Sequence, residues 1–331
     1  MGMEDFKKLF DSFSSLKVGV IGDVMLDTYM WGRVDRISPE APVPIISLYK
    51  KEYRIGGAGN VALNVQSLGA KPFIVSVTGQ DEDSENLKRL CLQREVDYNY
   101  SLQSKQRKTT NKIRIIGRSQ QMMRLDDEIT FDLNEEEVQS LISKFKEFVE
   151  KERPQVVIIE DYNKGVLTNV VIEEVLLVSK REGIITAVDP KQKNFFEYKE
   201  VDIFKPNLNE VKDALNFLFD DVQAHLLSNI HDRLSGKLNH NISLITLAEK
   251  GIFFQDKNIA SIIPSRIRNI ADVSGAGDTV IAVASMVYAV TKNAHLMAEV
   301  ANIAGGLVCE EVGTAAINKE KLLHECELLL S

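Results

Sequence analysis

A chain of 331 residues with 44% hydrophobic and 27% charged residues has enough apolar side chains for a large core, which excludes a disordered segment. Its 48 Asp and Glu outnumber 40 Lys and Arg, a formal net charge of −8 that excludes a nucleic-acid coat and leaves any acidic ligand dependent on a local cluster of cations. Cys91, Cys309 and Cys326 show no C-x-x-C spacing, so neither a disulfide framework nor a zinc site is expected, and a reducing cytoplasm suits them.

The start, Met1-Gly2-Met3-Glu4-Asp5, is polar and acidic and lacks the basic residues and apolar stretch of a secretion signal. After this leader, Val18 to Gly22 reads as a buried strand ending at Asp23. Val43 to Tyr53, with Pro42 and Pro44 at its start, is strand-like, and Val61 to Leu68 has helical spacing. A strand over Phe73 to Val77 follows, then a second β stretch from Tyr98 to Arg124 containing Thr109, Thr110, Ile113, Ile115 and Ile116. Next come a helix over Leu133 to Val149, a strand over Val156 to Glu160, a helix over Val170 to Lys180, and strands over Ile184 to Val188 and Ile242 to Leu247. A helix covers Thr279 to Val290, whose apolar run is too short to span a bilayer, so no membrane partner is expected.

Strands alternating with helices imply crossover connections and a mostly parallel sheet covered on both faces. The two β stretches outside this alternation read as antiparallel strands of a small lid, inserted from about 28–55 and 98–126 into one domain spanning 1–331. No internal repeat or low-complexity tract interrupts it.

The densest chemical signal is Asp272-Val-Ser-Gly-Ala-Gly-Asp278-Thr279 ahead of the last apolar helix. A glycine-rich helix start leaves backbone N–H groups and the positive end of the helix dipole for an anion. A carboxylate in the same turn would repel a phosphate that was merely bound, but it suits a base beside a transferring phosphoryl group. Asp278 can equally be a first-turn carboxylate that only stabilises the helix.

The string resembles the signature of the ribokinase-like (pfkB) carbohydrate kinases. The resemblance implies an α/β fold, a three-layer αβα sandwich with a mostly parallel central sheet and a small β-strand lid. It implies ATP and Mg²⁺ as cofactors, with Asp278 as catalytic base and the Gly275, Ala276 and Gly277 backbone as an anion hole. The family's second signature is matched by Gly56-Gly57-Ala58-Gly59-Asn60, where paired glycines let the backbone approach a ligand and Asn60 can bond sugar hydroxyls. Asn207 and Glu210 in Lys205-Pro-Asn-Leu-Asn-Glu210 match the element expected near ATP and Mg²⁺, acting through water; the same pair can equally be a capping box. Thr246, Glu249 and Gly251 match the nucleotide loop, and Asn302 is expected on the adenine side. Asp272 falls where relatives place a ligand for a monovalent cation such as K⁺, or is simply a carboxylate in the turn before the helix.

The segments Gly22 to Tyr29 and Arg33 to Pro44 resemble the bacterial heptose kinases within this family, as do Arg118 to Arg124, Asp161 to Gly165, Asp189-Pro-Lys191 and Gly313-Thr-Ala315. That resemblance implies ATP-dependent phosphorylation of D-glycero-β-D-manno-heptose 7-phosphate at its C1 hydroxyl, for ADP-heptose and lipopolysaccharide core synthesis; the alternative is another sugar or sugar phosphate. Asp23, Asp27 and Asp161 are then substrate ligands, and Arg33, Arg36, Arg118, Arg124 and Lys164 are candidates for the 7-phosphate, Arg36 and Lys164 foremost; each is otherwise a surface charge. No His-x-Gly-His motif is present, so a stand-alone kinase is expected, in the cytoplasm and as a homodimer through the lid, with sugar phosphate and ATP rather than nucleic acid as partners.

Overall fold

The short β-branched runs become strands and the amphipathic segments between them become helices in a computed structural model, which describes residues 3–117, 120–217, 222–266 and 268–330. Arg118 lies outside the described residues. The strands are β1 Lys17–Gly22, β2 Val24–Ile37, β3 Pro44–Gly57, β4 Lys71–Val75, β5 Val77–Gly79, β6 Leu102–Ser104, β7 Asn111–Gly117, β8 Gln120–Asp127, β9 Val156–Glu160, β10 Ile185–Asp189, β11 Ile203–Phe204, β12 Ile242–Thr246, β13 Ile252–Gln255 and β14 Ala260–Ile263. The helices are α1 Met3–Ser12, α2 Ala58–Ser67, α3 Glu82–Gln93, α4 Glu135–Glu152, α5 Asn169–Arg181, α6 Leu208–Leu215, α7 Ala224–Leu238, α8 Ala276–Thr291, α9 Ala294–Val308 and α10 Lys319–Leu330.

The main sheet has the order β14-β13-β12-β11-β10-β9-β1-β4, parallel from β12 to β4, with β13 and β14 antiparallel at one edge. Strand β9 is buried at every position because helices cover both faces, so apolar residues run continuously instead of alternating. One core cluster joins α1, α2, α8, α9 and α10 to one face, and the other joins α4, α5 and α7 to the opposite face. Layer by layer, the αβα sandwich is present as expected.

Register decides what the sheet presents. Gly22, Glu160 and Asp189 stand side by side at the carboxyl ends of β1, β9 and β10, the edge where open parallel sheets bind ligands.

The small sheet has the order β3-β2-β7-β8. Its two hairpins, β2–β3 and β7–β8, are antiparallel as read, but β2 and β7 pair in parallel and join them. Pairing begins earlier than expected, at Val24 with Gly57, while residues 102–104 pair with β5 outside this sheet. The leader forms α1, because Phe6, Leu9 and Phe10 fall on one buried face.

Candidate active site

Helix α8 starts at Gly275, whose φ of +81° lies in the left-handed region that glycine adopts without strain. A Cβ there would stand 2.7 Å from Asn60 Nδ2, so the turn and the close packing of α2 both require glycine. Asp278, in the first turn, is buried. Its Oδ2 accepts a hydrogen bond from Asn60 Nδ2 at 2.8 Å, and its Oδ1 accepts one from the Tyr162 hydroxyl at 2.8 Å. Burial pushes the Asp278 carboxyl up to about 6, tempered by those two donors, while Asp189 raises it further and Lys205 opposes that. Asn64 supports the junction from behind: its Oδ1 accepts from Thr279 Oγ1 at 3.1 Å and Ile317 N at 2.9 Å, and its Nδ2 donates to Asn60 O. Of the expected anion-hole amides, Ala276 N also reaches Val273 O at 3.3 Å.

Around Asp278 the sheet edge supplies charges the sequence reading did not assign. Carboxylate oxygens of Glu160, Asp189 and Asp278 lie within 4.8 Å of one another, all buried. Lys205 Nζ is 2.7 Å from Asp189 Oδ2, and Lys191 Nζ is 3.0 Å from Asp189 Oδ1 and 2.7 Å from Glu210 Oε1. A Cβ on Gly277 would approach Asp189 Oδ2 at 3.5 Å and Lys205 Nζ at 3.6 Å, so the glycine turn faces this cluster directly. Burial works to raise Asp189, but Lys191 and Lys205 hold it below the usual carboxylate range. Glu160 has no partner for either carboxylate oxygen among the described residues; burial, then Asp189 and Asp278, push it well above that range.

On the acceptor side, two expected sugar ligands are bonded to the neighbouring chain. Asp23 is buried and takes backbone N–H groups of Tyr162 and Lys164 on Oδ2 (2.8 and 3.0 Å) and of Val166 on Oδ1 (3.2 Å). Asp161 is buried and accepts from Asn163 N, Asn194 Nδ2 and the Tyr198 hydroxyl. Through these bonds the two acids fix the 162–166 loop that carries Tyr162. Asp27 stands nearer the site, paired with Arg114 at 2.5 Å and 3.5 Å from Thr314 Oγ1. Tyr29 lies beside it, with the guanidinium groups of Arg54 and Arg114 at 4.7 and 5.2 Å from its ring. Gly56 and Gly57 are required by close packing: a Cβ on Gly56 would meet Asp27 Oδ2 at 2.3 Å, and one on Gly57 would meet Asp23 O at 2.4 Å.

The candidate phosphate ligands separate. Lys164 is mostly buried and pairs with Glu128 at 2.6 Å. Arg124 pairs with Asp126 at 2.8 Å, while Arg33 and Arg36 are exposed. Arg36 is nine residues beyond Asp27 along β2, roughly 30 Å of extended chain, so it is not brought to Asp278 with the others.

On the nucleotide side, Asn207 and Glu210 form a capping box at α6: Glu210 N donates to Asn207 Oδ1 at 2.9 Å and Asn207 N to Glu210 Oε2 at 2.7 Å. The pair is a capping box, and Glu210 also reaches the cluster through Lys191. Thr246 bridges to Asn207 at the end of β12. Glu249 precedes Gly251, whose φ is +100° and whose Cβ would clash with Ile263 O at 2.0 Å; Asn302 Nδ2 donates to Pro264 O at 2.9 Å. Asp272 accepts from Ser274 N, Ser274 Oγ and Gly313 N; burial works to raise it, but these bonds and Arg114 hold it below the usual range.

Residues 15–321 match the pfkB family carbohydrate kinase. The chain is similar to the bifunctional protein HldE of Aliarcobacter butzleri, at 36% identity over 303 residues, covering 92% of this chain and 63% of that protein. It is likewise similar to the bifunctional protein HldE of Methylobacillus flagellatus, at 38% over 308 residues, covering 93% and 62%. The chain therefore spans less than two thirds of the length of these relatives. Escherichia coli phosphofructokinase-2, solved in complex with potassium, superposes with a TM-score of 0.78 at 16% identity over 95% of this chain and 98% of that one. Arabidopsis thaliana ribokinase, solved with ribose and ATP, gives 0.70 at 16% over 93% and 98%; these likenesses show the ribokinase-like fold.

Proposed function

This chain belongs to the pfkB family of carbohydrate kinases, enzymes that phosphorylate sugars with ATP, and we propose that its acceptor is the C1 hydroxyl of D-glycero-β-D-manno-heptose 7-phosphate. The product would be the 1,7-bisphosphate, a precursor of ADP-heptose and the lipopolysaccharide core. The observation carrying the reading is Asp278, a buried carboxylate in the first turn of a glycine-started helix, with a hydrogen-bond donor on each oxygen and room for one more. That arrangement supports a base that takes a proton from a sugar hydroxyl beside the amides of Gly275, Ala276 and Gly277. The heptose assignment rests on the likeness of the segments 22–44, 118–124 and 161–165 to heptose kinases, supported by the similarity to the two HldE proteins.

In this mechanism Asp278 accepts the proton of the C1 hydroxyl as its oxygen attacks the γ-phosphorus of ATP and the bond to the β–γ bridging oxygen breaks, releasing ADP. Lys205 and Lys191 balance the charge of Asp189, so Asp278 is left as the base of the cluster. The unpartnered oxygens of Glu160 beside Asp189 fit a hard divalent cation, and Asn207 and Glu210 would act on it through water. Mg²⁺, when bound, neutralises charge on the phosphate oxygens. Asp272, held ionised next to the α8 N-terminus, is the carboxylate K⁺ would take. Exposed Ile37, Leu48 and Tyr49 on the small sheet, with Val43 just before β3, support a homodimer through that sheet.

ADP release, measured with a panel of sugars and sugar phosphates, tests the substrate. The heptose 7-phosphate is expected to give the highest kcat/KM; a higher value for any other acceptor would replace it.

A further inference from the structure

Lys112 is placed on β7 between Asp27 of β2 and Asp126 of β8, the neighbours its register gives it. Its ammonium stands 5.1 Å from the centre of the Tyr162 ring, whose hydroxyl bonds the catalytic Asp278. The side chain is half-buried, yet it forms no ion pair among the described residues. The three carboxylates whose charge it feels most are engaged by other cations: Asp27 by Arg114, Asp126 by Arg124 and Glu128 by Lys164. Four cations thus meet three carboxylates beside the acceptor site of an acidic protein, and the surplus charge is Lys112.

A half-buried ammonium with no counter-ion is held at a cost unless a ligand supplies the missing charge. Burial and the neighbouring Lys164 both work against its charged form, which an arriving dianion would reverse. The cations on the phosphoryl-transfer side, Lys191 and Lys205, have partners of their own in Asp189 and Glu210. Lys112 belongs to the small sheet instead, one tyrosine ring away from the base. We propose that Lys112 binds the phosphate monoester carried by the acceptor sugar, at the end remote from the reacting hydroxyl. This assigns the acceptor-phosphate contact to a residue other than Arg36, which lies far out along β2, or Lys164, which Glu128 already neutralises. The inference rests on the sugar-phosphate reading above.

Lys112→Met and Lys112→Arg, assayed with heptose 7-phosphate, with the same heptose lacking phosphate, and across ATP concentrations, test it. Lys112→Met is expected to raise KM for the phosphorylated acceptor about 10- to 100-fold, the effect of losing one hydrogen-bonded charge, with KM for ATP unchanged. Lys112→Arg should recover most of that loss, which also guards against a Met variant that fails to fold. The wild-type preference for the phosphorylated over the plain sugar should shrink by the same factor in the Met variant. A wild type without any such preference would overturn the substrate reading and this inference together. A wild-type preference that the Met variant keeps, or a rise in KM for ATP in place of the acceptor, would overturn the role of Lys112 alone.

Discussion

Replacing Tyr162 by Phe removes one of the two hydrogen bonds that stabilise the Asp278 carboxylate while keeping the ring packed against Lys112 and Lys191. Asp278 sits at about 6 because burial raises it and the Asn60 and Tyr162 donors hold it down. Both donors favour the ionised form, so losing one raises the value. A hydrogen bond to a charged group contributes about 1.5–3 kcal/mol, and one pKa unit corresponds to about 1.4 kcal/mol, so the carboxyl should move up by about 1–2 units. Only the ionised carboxylate can accept the proton, so the acidic limb of kcat against pH should move up by the same 1–2 units. ADP release measured from pH 5.5 to 9.5 would then show a 10- to 100-fold deficit at the acid end, in line with that shift, and near-parity at the alkaline end. A purely structural role for the hydroxyl predicts equal loss at every pH. An acidic limb left at its wild-type position, or a deficit of the same size throughout, would refute the assignment of Tyr162 as the residue that tunes the base.

Asp278→Asn should lower kcat by about 10²–10⁴-fold with KM for ATP little changed, read by steady-state kinetics. It should still fold: flipping the Asn60 amide offers its unpartnered oxygen to the newly introduced side-chain amide. Because the folded protein holds the Asp278 proton more tightly than the unfolded chain, its ionisation opposes folding fully above about 6 and not at all below 3.8. The Tm of Asp278→Asn relative to wild type should therefore be higher at pH 8 than at pH 4. Gly275→Ala forces a side chain into φ +81° and against Asn60, so it should destabilise by about 1–2 kcal/mol in thermal melts and lower kcat as well. Gly183→Ala, at φ +68° with no atom near the new Cβ, should show the strain without the loss of turnover. Leu48→Asp with Tyr49→Asp should give a folded monomer in sedimentation; a variant that keeps the wild-type sedimentation coefficient would argue against pairing through the small sheet.

The layers of the fold were legible because each buried parallel strand is a short apolar run and each crossover helix carries one apolar stripe. What escaped was the shortest structure: β11 has two residues, β13 and β14 have four each, with β14 half-exposed at the sheet edge, and the parallel join of β2 to β7 depends on contacts between residues far apart in the chain. In the site, the 272–279 motif was legible because Gly275 and Asp278 act within one turn. Glu160, Asp189 and Lys205 were not, since only strand register brings them together. Their common signal was nonetheless present: each is the first charged residue after a run of buried apolar positions, at the carboxyl end of β9, β10 or β11. Asp23 carries the same signal and Asp161 stands next to Glu160, yet both bond the 162–166 region, so position narrows the candidates and hydrogen-bond partners separate them further.

That division of labour bears on how a base next to ATP avoids activating water. An ionised carboxylate offers about four acceptor sites, and in Asp278 Asn60 and Tyr162 already fill one on each oxygen. Burial by α2 and the 162–166 loop closes most of the remaining approach. The small sheet, which carries Asp27, Arg114 and Lys112, borders the base through Lys112, 5.1 Å from the centre of the Tyr162 ring. On the proposed reading, a sugar phosphate reaches the base and the cations of the small sheet at once, which a water molecule cannot. Two ties fix the small sheet there: Glu128 to Lys164, and Arg54 to the carbonyls of Val312 and Thr314. On that reading, discrimination against hydrolysis depends on the spacing between Asp278 and the cations of β7 more than on any one residue of the glycine turn.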